Sequence, residues 1–231
     1  PDVSGSAIVV ANATDADAGF VGERLSQRGF SLRTVLREDG LPRLADAGPV
    51  DLLLLLGSEW SVHAPVDPAA LAAEVALVRD AVGARLPVLA ICYGAQVVSA
   101  AFGGSVGPAP VPEVGVVHVR SEDPSLVPEG PWTSFHVDGL TPPPAAEVVA
   151  RNDCGVQAFV LPGLLGVQFH PEVRPRVLDD WAGRFPDLVR DSGQEHAVMV
   201  AAAAEREAGS RSAAHALVDA FLDRVATAAA T

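Results

Sequence analysis

Cys92 stands where an apolar run ends. Pro87–Ile91 is apolar, Cys92, Tyr93 and Gly94 follow, and Ala95–Phe102 has helical character. Strand, sharp turn with a nucleophile at its tip, then helix is a nucleophile-elbow arrangement. The strained turn lifts the side chain clear of the sheet, and the first amides of the helix face whatever it attacks. A thiol in that place suits covalent catalysis. The thiolate is the reactive form, so a basic partner is needed. Among the six histidines, His170 ends the apolar strand Gly166–Phe169 and is followed by Pro171 and Glu172. Residues two apart on an extended chain point the same way, about 6–7 Å apart. Glu172 can therefore hold the imidazole while its other ring nitrogen meets Cys92, an orienter–base–nucleophile set. His63, His118, His196 and His215 belong to no such constellation. His136 and Asp138 read as loop-ordering residues, and Cys154 reads as inert.

The elements that must position these residues alternate. Ser6–Ala11 reads as a buried strand, Ala18–Arg28 as a helix stopped by Gly29, and Ser31–Leu36 as a second strand. Val50–Leu56 is nearly all leucine, as in a strand covered on both faces. Pro68–Val82 repeats Leu71, Val75, Val78 and Val82 at helical spacing. This βαβ order predicts a parallel sheet flanked by helices. After Gly104, short strands are predicted at Val114–Arg120, Ala146–Arg151, Gln157–Leu161 and Gly166–Phe169, as a more antiparallel portion. Gly107–Pro112 reads as a loop, and residues 175–190 and 195–227 read as helices. One domain over residues 1–231 is expected.

Composition narrows the function classes. Of 231 residues, 49% are hydrophobic, enough for a large core, and the net charge is −13. All 16 basic residues are arginine, which reads as genome compositional bias. The acidic balance argues against nucleic acid and anionic membranes as partners. Two widely spaced cysteines make no disulfide scaffold, and no zinc spacing occurs, so no metal or cofactor is expected. No basic region followed by an apolar one opens the sequence, and residues 86–104 are broken by Pro87, Gly94 and Gln96. A cytoplasmic setting is the expectation.

The strings themselves carry a resemblance. AICYGAQ (90–96) and GVQFHPEV (166–173) are similar to the two signature motifs of class I glutamine amidotransferases. DLLLLLGSEWSVHAP (51–65) resembles that family's oxyanion strand and loop, and SFHVDGLTPPPAAEVVARNDCGVQAF (134–159) resembles its His-Gly-Asp segment and following strand. HPEVRPRVLDDWAGRFP (170–186) resembles the stand-alone, GMP-synthase-like branch. The resemblance implies a flavodoxin-like three-layer α/β sandwich with a central, mostly parallel sheet. It implies Cys92 as nucleophile, His170 as base and then acid, and Glu172 as orienting carboxylate. It makes the N–H of Tyr93 one oxyanion donor and the Gly57–Ser58 backbone the other. Gln96 and the Phe135–Val137 backbone would contact the substrate, and Trp60 is placed at the cleft mouth.

Ala90, Ala95, Ser58, Glu59-Trp60 and Val137 depart from the family pattern. Ala95 is expected to open space near the elbow, Ser58 to replace a glycine of the oxyanion loop, and Val137 to add bulk in the glutamine pocket. The leading expectation is hydrolysis of glutamine or a related amide through a glutamyl thioester, releasing ammonia to a partner synthase, since no P-loop is present. Two alternatives stand beside it. One is a stand-alone γ-glutamyl or amide hydrolase with a remodelled pocket. The other is a catalytically silent regulatory or binding module.

Overall fold

The computed structural model describes residues 5–227. Residues 1–4 and 228–231, the ends of the expected single-domain span and the opening of the sequence, lie outside the described residues.

The first half alternates as its pattern predicts: β1 (Gly5–Ala11), α1 (Gly19–Gln27), β2 (Phe30–Leu36), β3 (Leu52–Leu55), α2 (Pro68–Gly83), β4 (Val88–Ile91) and α3 (Tyr93–Ala101). Asp67 caps α2, accepting from the N–H of Ala69 and Ala70 at 3.0 Å, with Pro68 in the first turn. Such a cap stabilises a helix by about 1 kcal/mol. The second half adds β5 (Ser105–Ser121), β6 (Gly130–Thr141), β7 (Glu147–Asn152), β8 (Gly155–Leu161) and β9 (Leu164–Val167). Five helical stretches follow: α4 (Pro175–Arg184), α5 (Pro186–Asp191), α6 (His196–Glu205), α7 (Glu207–Ala220) and a π-helical end, Phe221–Ala226.

All nine strands join one sheet in the order β2-β1-β3-β4-β9-β8-β7-β5-β6. From β2 to β9 the pairs are parallel; from β9 to β6 they are antiparallel. The sheet is mixed, and its parallel half holds the elbow. Strand alternation sends Val9, Leu52, Leu54 and Leu89 to one face, where Val21 and Leu25 of α1 and Leu217 and Val218 of α7 cover them. Ile8, Leu53, Leu55 and Val88 go to the other face, under Leu77 and Val78 of α2 and Val97 and Val98 of α3. Burying each such side chain contributes roughly 1.5–3 kcal/mol. This is the expected flavodoxin-like three-layer sandwich.

The antiparallel half differs from expectation in two places. The strand expected at Val114–Arg120 begins earlier and runs through Gly107–Pro112. It pairs with β6, which the hydrophobic pattern did not show. Between Pro108 and Glu113 the ladder slips, so Ala109–Pro112 face Val137 alone. Pro110 and Pro112 have no N–H to give a ladder, and the bulge leaves those positions unpaired. β6 escapes a period-2 reading because its inward Trp132, Ser134 and His136 are not uniformly apolar.

Candidate active site

The elbow forms at the end of β4. Cys92 has φ 50° and ψ −107°, a conformation that costs a non-glycine residue on the order of 1–3 kcal/mol. The neighbours hold it there. The Cys92 N–H donates to the Val167 carbonyl at 2.8 Å, tying the elbow to β9. A Cβ on Gly94 would stand 2.6 Å from Cβ of Leu55, so glycine lets α3 lie directly on β3. Gly166 does the same on β9, where a Cβ would meet the Phe159 ring at 2.6 Å.

His170 and Glu172 follow β9 and are buried, as is Cys92. His170 Nδ1 lies 2.7 Å from Glu172 Oε1. The remaining nitrogen, Nε2, stands beside Cys92 without a hydrogen-bond partner of normal geometry among the described residues. The edge of Trp181 backs the imidazole, with ring centroids 4.8 Å apart. Glu172 is fixed through its backbone as well. Its carbonyl accepts from the N–H of Phe20 at 3.0 Å, and a Cβ on Gly19 would fall 1.8 Å from that same oxygen.

Burial opposes a charged His170, but the Glu172 carboxylate and the Cys92 sulfur outweigh it, and the pKa is pushed up to about 10. The folded protein thus holds this proton more tightly than the unfolded chain, whose histidine titrates near 6.5. Stability from the pair is complete below about pH 6.5 and is lost as pH rises through about 10. Urea titrations of the wild type are expected to show falling stability across that interval, with a shallower fall in His170→Gln. Equal slopes in the two proteins would remove the imidazolium from the account.

The oxyanion loop follows β3. Gly57 does not have a positive φ; it is glycine for space, since a Cβ there would stand 2.7 Å from His170 Cε1 and 3.6 Å from Cys92 Cβ. Ser58 also lacks a positive φ, so serine is unstrained at this position. Its Oγ accepts from the Trp60 N–H at 2.9 Å, closing the turn. Ser58, Trp60, Cys92, Gln96, Phe135, Val137 and His170 line one cleft of about 290 Å³, near the lower end for small-ligand sites. The structure thus gathers most of the expected site residues at one cleft; Gly57, Tyr93 and Glu172 do not line it but adjoin Cys92 and His170. Ala95 does not open the cleft as expected. It is fully buried in the core between α3 and the sheet, because it points to the face opposite the thiol. Val137 is 47% exposed at the cleft.

Several residues around the thiol and its cleft escaped the sequence reading. Gln168 Nε2 donates to Cys92 Sγ at 3.5 Å, and its Oε1 accepts from Gln96 Nε2 at 3.4 Å. The signal for it was its place: Gln168 stands two residues before His170, just past β9. Gln96 also donates to the Asp138 carbonyl at 3.1 Å, while Ser61 holds the Asp138 carboxylate at 2.5 Å. Asp138 therefore orders the loop, as expected. His136 pairs with Glu113 at 3.1 Å. Trp181, Arg184, Phe185 and Leu188 form the far wall, and Asp15 accepts from the Trp181 indole at 2.6 Å. Nothing local in the sequence brings Asp15 to Trp181.

Among the described residues no helix is long and apolar enough to cross a membrane.

Comparison with known proteins gives the same picture from outside. The model for the family "Glutamine amidotransferase class-I" matches residues 25–181. A glutamine-hydrolyzing GMP synthase of Aeropyrum pernix is 41% identical over 108 residues, 41% of this chain and 21% of that protein. A glutamine-hydrolyzing GMP synthase subunit of Ignicoccus hospitalis is 38% identical over 99 residues, 39% of this chain and 53% of that protein. The matches thus cover between about a fifth and about a half of these relatives' length. A glutamine amidotransferase from Thermotoga maritima superposes with a TM-score of 0.83 at 20% identity, covering 95% of this chain and 99% of that one. One from Methylobacillus flagellatus gives 0.85 at 21% identity, with 95% and 94% covered. These two likenesses establish the fold. The family match spans more than half of the sequence, including the elbow and the His170–Glu172 pair. The chain belongs to the class I glutamine amidotransferase family.

Proposed function

We propose that residues 1–231 act as one catalytic domain that hydrolyses the γ-amide of glutamine through a thioester at Cys92 and passes ammonia to a partner synthase. Cys92 Sγ attacks the amide carbon, a C–S bond forms, and the carbonyl pair moves onto oxygen. Gly57, Ser58 and Tyr93 N–H groups stabilise that charge. The intermediate collapses, the C–N bond breaks, and His170 gives the proton it took from the thiol to the departing nitrogen. Water then attacks the thioester. His170 accepts the water's proton and returns one to sulfur as glutamate leaves. Glu172 holds the imidazole throughout. Gln96 and the Phe135–Val137 backbone hold the amino-acid end of the substrate.

The observation that carries this reading is a strained, buried thiol beside a histidine whose far nitrogen is 2.7 Å from a buried carboxylate. A silent binding module has no need to maintain that strain. Relatives named as GMP synthase subunits support the synthase partner. A second reading has its own observation. Trp60, Phe135, Trp181, Phe185 and Leu188 give the cleft an apolar wall, which favours a γ-glutamyl compound whose amide nitrogen carries an apolar group.

Hydroxylamine intercepts a thioester as a hydroxamate. Wild-type protein incubated with glutamine and hydroxylamine is expected to yield γ-glutamyl hydroxamate, and Cys92→Ala none. Higher kcat/KM on substituted γ-glutamyl amides than on glutamine moves the assignment to the second reading. No hydroxamate from either substrate sinks the thioester mechanism.

A further inference from the structure

Donors that stabilise an oxyanion must be aimed before the reaction starts. The N–H groups of Gly57 and Ser58 donate to no atom among the described residues. That of Tyr93, at the start of α3, has no acceptor one turn back. The two loop peptides are held from behind, and by a single side chain. Arg37, in the turn after β2, donates from Nη2 to the Leu56 carbonyl at 2.9 Å and from Nη1 to the Gly57 carbonyl at 3.2 Å. No described peptide is cis. In a trans peptide the C=O and the next N–H point in opposite directions. Holding the Leu56 and Gly57 carbonyls therefore turns the Gly57 and Ser58 N–H groups away from the guanidinium. The same guanidinium lies 4.7 Å from the ring centroid of Tyr93, whose backbone carries the third donor.

Arg37 is itself fixed. Nε and Nη2 donate to Glu74 at 2.8 and 2.9 Å, and Nη1 donates to Asn12 Oδ1 at 2.8 Å. An arginine has five N–H donors. All are used here, three to lock the plane and two on the loop. Lysine has neither the plane nor the number. Both side chains of the Arg37–Glu74 pair are 1% exposed. Apolar residues of similar volume often stabilise a core as well as a buried ion pair does, so stability alone gives weak reason for this one.

We propose that Arg37 is a positioning residue for the oxyanion site, setting the Gly57 and Ser58 N–H groups through the carbonyls of the two loop peptides. This rests on the thioester reading above. It places the fully buried Arg37–Glu74–Asn12 cluster, which touches no substrate, in the path between the core and the reacting carbonyl.

Two reactions of the same thiol separate this role from plain support. Iodoacetamide alkylates Cys92 by displacing iodide from carbon, and no oxyanion forms. Acyl transfer from glutamine requires one. Arg37→Lys is compared with wild type, and so is the double variant Arg37→Met with Glu74→Leu, which leaves no unpaired charge in the core. Melting curves accompany both. The expected result is a kcat for glutamine lower by roughly 10- to 100-fold, approaching the loss of one oxyanion donor. KM and the iodoacetamide rate should stay near wild type. Wild-type kcat in the folded double variant overturns the proposal. Parallel loss of both reactions also overturns it, because the thiol itself has then moved. If wild type alkylates but forms no hydroxamate, the thioester reading fails and this inference fails with it. Variants that alkylate normally but lose hydroxamate formation support both.

Discussion

Cys92→Ala and Cys92→Gly are both expected to lose turnover by roughly 10⁴- to 10⁶-fold, as when a nucleophile is removed from a catalytic unit, yet to differ in stability in an unusual order. In regular structure glycine is less stable than alanine by about 0.5–1 kcal/mol, because the unfolded chain gains freedom. At residue 92 the backbone sits at φ 50° and ψ −107°, where a Cβ is strained and glycine is not. The strain relieved is on the order of 1–3 kcal/mol. The glycine variant should therefore be the more stable by about 1 kcal/mol, or roughly 2–4 °C in Tm for a chain of this size. Paired thermal melts decide it. A glycine variant melting below the alanine variant would mean the elbow holds no strain for function to use.

Gly19→Ala carries the second large effect, from a residue outside the cleft. Its φ is +50°, and a Cβ would land 1.8 Å from the Glu172 carbonyl oxygen. Backbone cannot yield as the end of a flexible side chain does, so Glu172 must move by more than an ångström or α1 must withdraw. Misplacement of that size costs about 100-fold in rate. The positive φ adds about 1–2 kcal/mol of destabilisation. The expected protein folds, melts several degrees lower, alkylates with iodoacetamide, and turns over glutamine at about a hundredth of the wild-type kcat. Full activity in Gly19→Ala would show that the Glu172 backbone needs no support from α1.

The parts of the molecule legible in the sequence are those where local pattern and tertiary role coincide. The leucines of β3 are buried on both faces, and continuous apolarity says so. Cys92 is readable because the apolar run must stop for the elbow to turn. His170 and Glu172 are readable because they stand two apart just past an apolar strand, although β9 ends at Val167 and it is a turn at Pro171 and Glu172, not strand alternation, that brings the carboxylate to the imidazole. Arg37 has no comparable signal. Its partners Leu56, Gly57 and Glu74 lie 19, 20 and 37 residues away, and only the fold, which sets β2 and β3 on either side of β1, brings them together. Trp181 and Asp15 are 166 residues apart. Ala95 misled because helix phase, not residue size, decides which face a side chain meets. One residue is about 100° of turn, enough to move Ala95 from the cleft into the core.

Among the described residues β9 is the last strand in chain order, and it does not lie at an edge of the sheet; it slots between β4 and β8. Gln168, just beyond it, reaches a sulfur 76 residues earlier in the chain. A growing polypeptide therefore exposes its thiol well before it owns the imidazole that would activate it. Insertion of a late strand into the middle of a sheet is a non-local step, and such steps are slow. Under the proposed thioester mechanism, ammonia release is a census of finished molecules. Chains stalled or cut before His170 are counted as protein by mass but contribute nothing to turnover. Specific activity, measured alongside total thiol, reports how many copies have completed the sheet.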